Sequence, residues 1–374
     1  MGVHNLWKVP VQGIIQLLLL ILIFKTLQPC SETKSLTELA IQEGFEALRH
    51  GTGIVIVGVD ASTWFYESQA AFTGRGHVHA QAGLNPELHV LFFRLAELSR
   101  STVQAVFVFD GPKRPKIKRN KAVRPLPHWL TSRFVQLVKG FGFHCHTAPG
   151  EAEAELAYLN QIHAIDLVLT SDSDIFLFGA THVMRRPKDS HDLDRVEVYS
   201  KSHKKFPTPA ACVFMAITNG GDYTPNGLRG CGLQISSKLR FSPLATSLYD
   251  AVRNLSSSAL DLFLSGWRDE FRNELINDPQ GRLGRTYPSL SGQIPDTFPE
   301  PRMLKLYCCP LTSHADLSFT PNSSDWLVPS IPSTEELAPL CDSFFGWGPD
   351  ILKQMASHVW EGQFIRQLLR VRFL

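Results

Sequence analysis

A chain of 374 residues, 44% hydrophobic and 19% charged, has material for one large core or a core with a smaller appendage, which excludes a mainly disordered protein. A formal net charge of +2 gives no overall attraction to nucleic acid, so such a role has to come from the distribution of charge. Seven scattered cysteines without a Cys-x-x-Cys pair exclude a zinc framework and a disulfide scaffold, and they fit a reducing compartment.

The first predicted feature, Ile14 to Phe24, is nearly pure Leu and Ile after Lys8. It is shorter than the ~20 residues of a membrane span and the size of a signal-peptide apolar region. Residues 10 to 34 read as an insert, with translated intron sequence preferred over a signal or anchor at residues 14–24. From Leu36 to Leu48 apolar residues recur at helical spacing, and Gly51 and Gly53 lead into a first strand, Ile54 to Val59, ending on Asp60. A helix over Glu87 to Leu98 leads to a second strand, Ala105 to Phe109, ending on Asp110. Lys113, Arg114, Lys116, Lys118, Arg119, Lys121 and Arg124 follow with no acid among them. Such a run is usually a solvated surface, but its place beside Asp110 points to a polyanion.

A helix within Pro125 to Gly142 comes next, then His144-Cys145-His146, whose alternation near a strand reads as structural rather than metal-binding. Glu151 and Glu153 open a helix running to Ile165, with Glu155 expected to face outward, and a third strand, Leu167 to Leu169, precedes Asp172 and Asp174. This alternation predicts an α/β fold with a mainly parallel sheet flanked by helices. The polar stretch Arg185 to Lys205 reads as a hairpin or loop, and Pro207 to Asn219 as a helix. Asp222 follows, then Gly227-Leu228-Arg229-Gly230-Cys231-Gly232 before helical Leu233 to Leu239, the form of a helix-hairpin-helix turn. Glycines there let backbone N–H groups approach a phosphate. Asp278 to about Ser333 reads as a long irregular connection, and Glu335 to Leu374 as two helices.

Seven acids, Asp60, Asp110, Glu151, Glu153, Asp172, Asp174 and Asp222, fall where strands end or helices begin. Side chains at the carboxyl ends of parallel strands converge on one crevice, so these acids form one expected cluster that calls for a cation. Asp172 and Asp174, two apart in an expected extended segment, point the same way. Carboxylates select hard ions, Mg²⁺ with Mn²⁺ as an alternative, and two such ions about 3.5–4 Å apart serve phosphodiester cleavage. Capping helices would explain any one acid, but not seven together.

The set Val57-Gly58-Val59-Asp60-Ala61-Ser62, Phe107-Val108-Phe109-Asp110-Gly111, Ala148 to Ala157, Thr170-Ser171-Asp172-Ser173-Asp174, Gly221-Asp222-Tyr223 and Gly230-Cys231-Gly232, together with Met1 to Trp7, resembles the XPG/flap-endonuclease family of structure-selective nucleases. The likeness is strongest to its fungal Holliday-junction resolvase branch and covers roughly residues 1 to 8 and 35 to 275. It implies a PIN-like nuclease core with a helix-hairpin-helix module. The divisions are an amino terminus with insert (1–34), an amino-terminal nuclease region (35–130), an internal nuclease region (131–219), the hairpin module (220–275) and a carboxyl-terminal remainder (276–374). By the resemblance all seven acids are metal-site positions, Lys118 places the scissile phosphate, and Arg124 is its catalytic partner. Gly2, Lys116, Lys118, Arg119, Lys121, Gly230, Gly232 and Lys238 are the expected DNA contacts.

Where flap endonucleases carry a long helical arch, this chain has a short basic segment broken by Pro115, Pro125 and Pro127, which leaves room for a four-way junction. The insert would carry Gly2 and Trp7 away from DNA, Ser236-Ser237-Lys238 and Pro243 depart from a regular hairpin helix, and the abrupt end at Leu374 reads as a truncation. The expected function is a Mg²⁺-dependent nuclear endonuclease on branched double-stranded DNA, two copies dimerising on a junction for two cuts, with neither a small-molecule cofactor nor a membrane role. Two alternatives stand beside it. One is a junction-binding protein disabled by its insert; the other is a haloacid-dehalogenase-like phosphatase using Asp172-Ser173-Asp174, which leaves Asp60, Asp110, Glu151 and Glu153 without a task.

Overall fold

Side chains of the central strands divide between two cores, and that division sets the architecture. The computed structural model describes residues 30–47, 49–73, 83–123, 128–187, 194–328 and 330–371; Gly2, the apolar stretch 14–24 and Arg124 lie outside them. Strands β2 (Val55–Asp60) and β3 (Val103–Phe109) are buried along their whole length, as strands covered on both faces must be. Ile56, Val106, Val108 and Val168 face one core, while Val55, Val57, Val59, Phe107 and Leu169 face the other.

With β1 (Ser31–Ser35), β6 (His144–Thr147), β7 (Leu167–Leu169), β8 (His182–Arg185) and β9 (Arg195–Ser200), these strands form a seven-stranded sheet in the order β1-β9-β8-β7-β2-β3-β6. The five strands from β8 to β6 are parallel, and β9 and β1 add an antiparallel edge. The polar excursion is thus a hairpin of β8 and β9. The chain runs outward from β2 through β3 to β6 and then returns to the other side of β2 for β7. That reversal opens a crevice at the carboxyl ends of β2, β3 and β7. Ser31–Ser35 pairs with Arg195–Tyr199, so the last residues of the expected insert belong to the sheet.

Helices α1 (Ala61–Thr73), α2 (Pro86–Arg100) and α3 (Thr131–Gly140) cover one face. Helices α4 (Ala152–Gln161) and α5 (Pro209–Asn219) cover the other. The hairpin helix α6 (Leu233–Leu239) is followed by α7 (Pro243–Asn254) and α8 (Ser257–Asn277), whose Leu239, Leu248 and Trp267 share a core with Leu156 of α4.

Two expectations about the carboxyl-terminal part are corrected. The stretch after Asp278 is not simply irregular: it carries a single turn at Pro288–Ser291 and helix α9 (Pro301–Cys308). Both have Pro in the first helical turn, where the missing N–H costs nothing, so these prolines start helical turns in a stretch expected to be irregular. The end of the chain forms three helices instead of two, α10 (Thr334–Phe345), α11 (Ile351–His358) and α12 (Trp360–Val371), because Gly346 takes a left-handed φ of 66° at the end of α10. Arg366 of α12 is buried and donates to Val103 O at 2.6 Å and Gln104 Oε1 at 2.9 Å, fixing the helix to β3. Among the described residues no helix is long and apolar enough to cross a membrane.

Candidate active site

Asp60 ends β2 and also caps α1: Oδ1 accepts the Ser62 N–H at 2.9 Å, and Oδ2 accepts the Thr63 hydroxyl at 2.5 Å. Capping and cluster membership therefore coexist in one residue. Asp110, one residue past β3, accepts from Ala152 N at 3.0 Å, Ser62 Oγ at 3.1 Å and Arg114 Nη1 at 3.0 Å. These bonds tie the ends of β2 and β3 to the start of α4. Glu151 occupies the extended position before α4, and Glu153 lies in its first turn. Asp222 enters from the loop after α5, where Gly220 adopts a φ of 108°.

Asp172 and Asp174 do not lie in an extended segment as expected. Asp172 caps a 3₁₀ turn, Ser173–Phe176, and its Oδ1 accepts the Asp174 N–H at 2.9 Å. The Asx-type bond wins because a free N–H at a helix start is costly to leave unpaired. Glu155 does not face outward. It is fully buried, its carboxylate bonded to the His146 ring at 3.0 Å and to Ser313 N at 2.8 Å, so His146 has the structural role read for it.

Lys118 stands among the acids. Its segment is a two-stranded ribbon, β4 (Ile117–Lys118) and β5 (Lys121–Ala122), turned through Arg119 and Asn120 at φ of 58° and 56°. The ammonium lies 2.8 Å from Glu151 Oε1, 2.8 Å from Asp222 Oδ2 and 3.7 Å from Glu153 Oε2. Arg119 holds Asp222 twice, through Nε to Oδ1 at 2.6 Å and through its backbone N–H to Asp222 O at 2.7 Å. Arg119, expected as a DNA contact, thus holds a carboxylate while its side chain stays 47% exposed. Lys116 and Lys121 are exposed on the same ribbon. Gly230, Gly232 and Lys238 lie in the hairpin, where Lys238 Nζ donates to Leu283 O at 2.6 Å.

Crowding shifts the protonation of these groups. Burial pushes Asp60 up to about 7, with repulsion from Asp110 and Asp172 adding to it. Burial likewise raises Glu151, and it raises Glu153 and Asp174 well above the carboxylate range, outweighing Lys118. Asp222 is the exception: burial would raise it, but Lys118 and Arg119 pull it below its ordinary value. Burial opposes the charge on Lys118, yet Glu153, Glu151 and Asp222 hold its pKa well above normal.

Among the described residues no three His, Cys, Asp or Glu side chains stand at the spacing of metal ligands; the carboxylates surround an ammonium instead. The donor set still suits a hard divalent ion, being carboxylate throughout, and Glu153 Oε2 is buried without a hydrogen bond. Sequence reasoning missed Tyr223, which donates its hydroxyl to Glu151 Oε2, and Tyr307, whose Oη accepts the Tyr223 N–H at 2.9 Å. Nothing in an apolar helical pattern marks Tyr307 as a neighbour of residues more than 80 positions earlier.

Residues 142–222 match the XPG I-region family model. Over 209 residues the chain is 33% identical to the Flap endonuclease GEN homolog 1 of Homo sapiens, an alignment that covers 49% of this chain and 22% of that protein. It is 26% identical over 235 residues to the DNA repair protein RAD2 of Saccharomyces cerevisiae, covering 62% and 21%. The chain thus spans about a fifth of the length of these curated relatives. Among solved structures, the Holliday junction-resolving enzyme GEN1 in complex with product DNA and Mg²⁺ superposes with a TM-score of 0.69 at 24% identity, over 100% of this chain and 81% of that one. The catalytic core of Rad2 in complex with DNA substrate gives 0.59 at 24% identity, over 89% and 96%. At that identity the two structures establish the fold alone, a mostly parallel sheet between helices.

Proposed function

From the premise that this chain belongs to the XPG/flap-endonuclease family, we propose that it is a divalent-metal-dependent endonuclease that cuts branched DNA by shape. The observation that carries the reading is the gathering of acids from separate segments at the carboxyl ends of parallel strands, with the ammonium of Lys118 held among Glu151, Glu153 and Asp222. The phosphatase alternative leaves Asp60, Asp110, Glu151 and Glu153 unused, although all of them join this cluster.

Asp60, Asp110, Glu151, Glu153, Asp172, Asp174 and Asp222 would hold the metal, two ions of Mg²⁺ or Mn²⁺. When bound, such a pair supplies an activated water and stabilises charge on the leaving oxygen. The protein's own groups bring the phosphodiester to that place. Lys118 is partly exposed on a short ribbon, so its ammonium is within reach of both the acids and a backbone phosphate entering the crevice. Lys116 and Lys121 extend positive charge along the ribbon, and the backbone of Gly230 and Gly232, with Lys238, faces the duplex from the hairpin. Contacts of this kind position DNA without reading bases.

A ribbon in place of a long arch favours a four-way junction over threading of a single-stranded flap. Two coordinated cuts then call for two copies on one junction, and such a substrate places the protein in the nucleus. The test is incision of three labelled DNAs of one sequence, a four-way junction, a 5′ flap and a plain duplex, in Mg²⁺. Cleavage of the junction above the duplex supports the reading. Equal cleavage of all three would overturn shape selection, and cleavage of the flap alone would reassign the branch.

A further inference from the structure

The segment after α8 packs against the loops that carry the acids. Ser313 N bonds Glu155 at 2.8 Å, and Lys113 Nζ lies 2.6 Å from Asp316. A Cβ on Gly150 would come within 2.8 Å of Leu311 O, so this segment is pressed against the entry to α4. From α9, in the same segment, comes Tyr307, only 1% exposed. Its hydroxyl accepts the N–H of Tyr223 at 2.9 Å, immediately after Asp222. On the other side of Asp222, a Cβ on Gly221 would meet the same hydroxyl at 2.5 Å, so only glycine leaves that oxygen in place. Tyr223 then donates its own hydroxyl to Glu151, with its ring 4.8 Å from that of Tyr307.

One buried oxygen therefore abuts both flanks of Asp222 and, through Tyr223, reaches Glu151. We propose that Tyr307 is a positioning residue for the metal pair, fixing Asp222 and Glu151 relative to each other without touching either; this rests on the endonuclease reading above. A purely packing role needs the ring alone, whereas this role needs the oxygen. Partners that orient metal ligands from behind typically change metal affinity by about 10–100-fold when removed.

The experiment measures Mn²⁺ binding by electron paramagnetic resonance on the full chain without DNA, for wild type, Tyr307→Phe, Tyr223→Phe and the double variant. Melting curves and Mg²⁺ titrations of junction incision accompany it. Expected is about a tenfold weaker Mn²⁺ affinity for Y307F, with a melting temperature only a few degrees lower. The Mg²⁺ needed for half-maximal incision rises in parallel. Because Tyr307 acts through Tyr223, the double variant loses less affinity than the product of the single losses. Unchanged Mn²⁺ affinity in folded Y307F overturns the proposal, as do losses that multiply independently. A Y307F chain unfolded at the assay temperature also overturns it, by making the residue part of the packing. A wild type that binds no Mn²⁺ and cuts nothing contradicts the endonuclease reading itself, a result distinct from equal binding by wild type and variant.

Discussion

Lys118 Nζ lies 2.8 Å from Asp222 Oδ2, a carboxylate only 2% exposed. A fixed cation is thereby built into a cluster that otherwise repels itself. Replacing it by Met leaves Glu151, Glu153 and Asp222 without that charge. Lys118→Met should destabilise the metal-free protein by about 2–4 kcal/mol, read by urea denaturation. Added Mg²⁺ should recover most of the loss, and incision should remain impaired even at saturating metal. A stability equal to wild type in EDTA would show that the ammonium is dispensable to the fold.

The carboxylates give the metal-free protein an unusual pH dependence. Asp60 titrates near about 7 in the folded state and near ~3.9 when unfolded. Between those values the folded chain binds more protons than the unfolded one, so stability falls as pH rises. Glu153 and Asp174, also raised by burial, act in the same direction. In EDTA the melting temperature should therefore decline from about pH 5 to about pH 8, and Asp60→Asn should flatten the slope. A melting temperature that climbs over this range would contradict the burial of these acids.

Glu67 on α1 accepts the Ser171 hydroxyl at 2.8 Å and the Arg94 guanidinium at 2.8 Å. It thus ties α1 and α2 to the turn bearing Asp172. Glu67→Gln keeps the shape and weakens a charge-assisted bond, so stability should change by less than about 1 kcal/mol. The incision rate should fall several-fold as the Asp172 turn loosens. An unchanged rate under single-turnover conditions would make the link merely structural.

Gly111 follows Asp110 and bonds Gly150 O through its N–H at 2.7 Å. A Cβ there would stand 1.7 Å from Ala148 O, a backbone atom that cannot move aside cheaply. Gly111→Ala should cost more than about 4 kcal/mol, measured by chemical denaturation, or prevent soluble expression. A variant as stable as wild type would mean that the Asp110 and Gly150 loops are not locked together.

The central sheet was legible because Ile54 to Val59 and Ala105 to Phe109 are apolar runs followed directly by Asp60 and Asp110, as doubly covered parallel strands would be. The acidic cluster followed from where those strands stop. Less legible was everything that depends on contacts far apart in sequence. Glu155 looked like an exposed helix residue until His146 and Ser313 supplied partners, and the bonds from Arg119 to Asp222 join residues 103 apart in sequence. The Pro-rich stretch hid α9 because Pro301 sits in the first turn of that helix, where proline starts rather than stops it. Tyr307 was invisible for the same reason, since its role exists only after α9 has docked.

The most direct test of the central claim is single-turnover incision of an end-labelled four-way junction by wild type and Asp174→Asn, each in Mg²⁺ and in EDTA. Wild type should cut near the branch in Mg²⁺ and not at all in EDTA, and the variant should lose at least about 100-fold in rate with junction binding retained. Incision that persists in EDTA, or that survives in Asp174→Asn, would contradict a metal-dependent site built from these carboxylates.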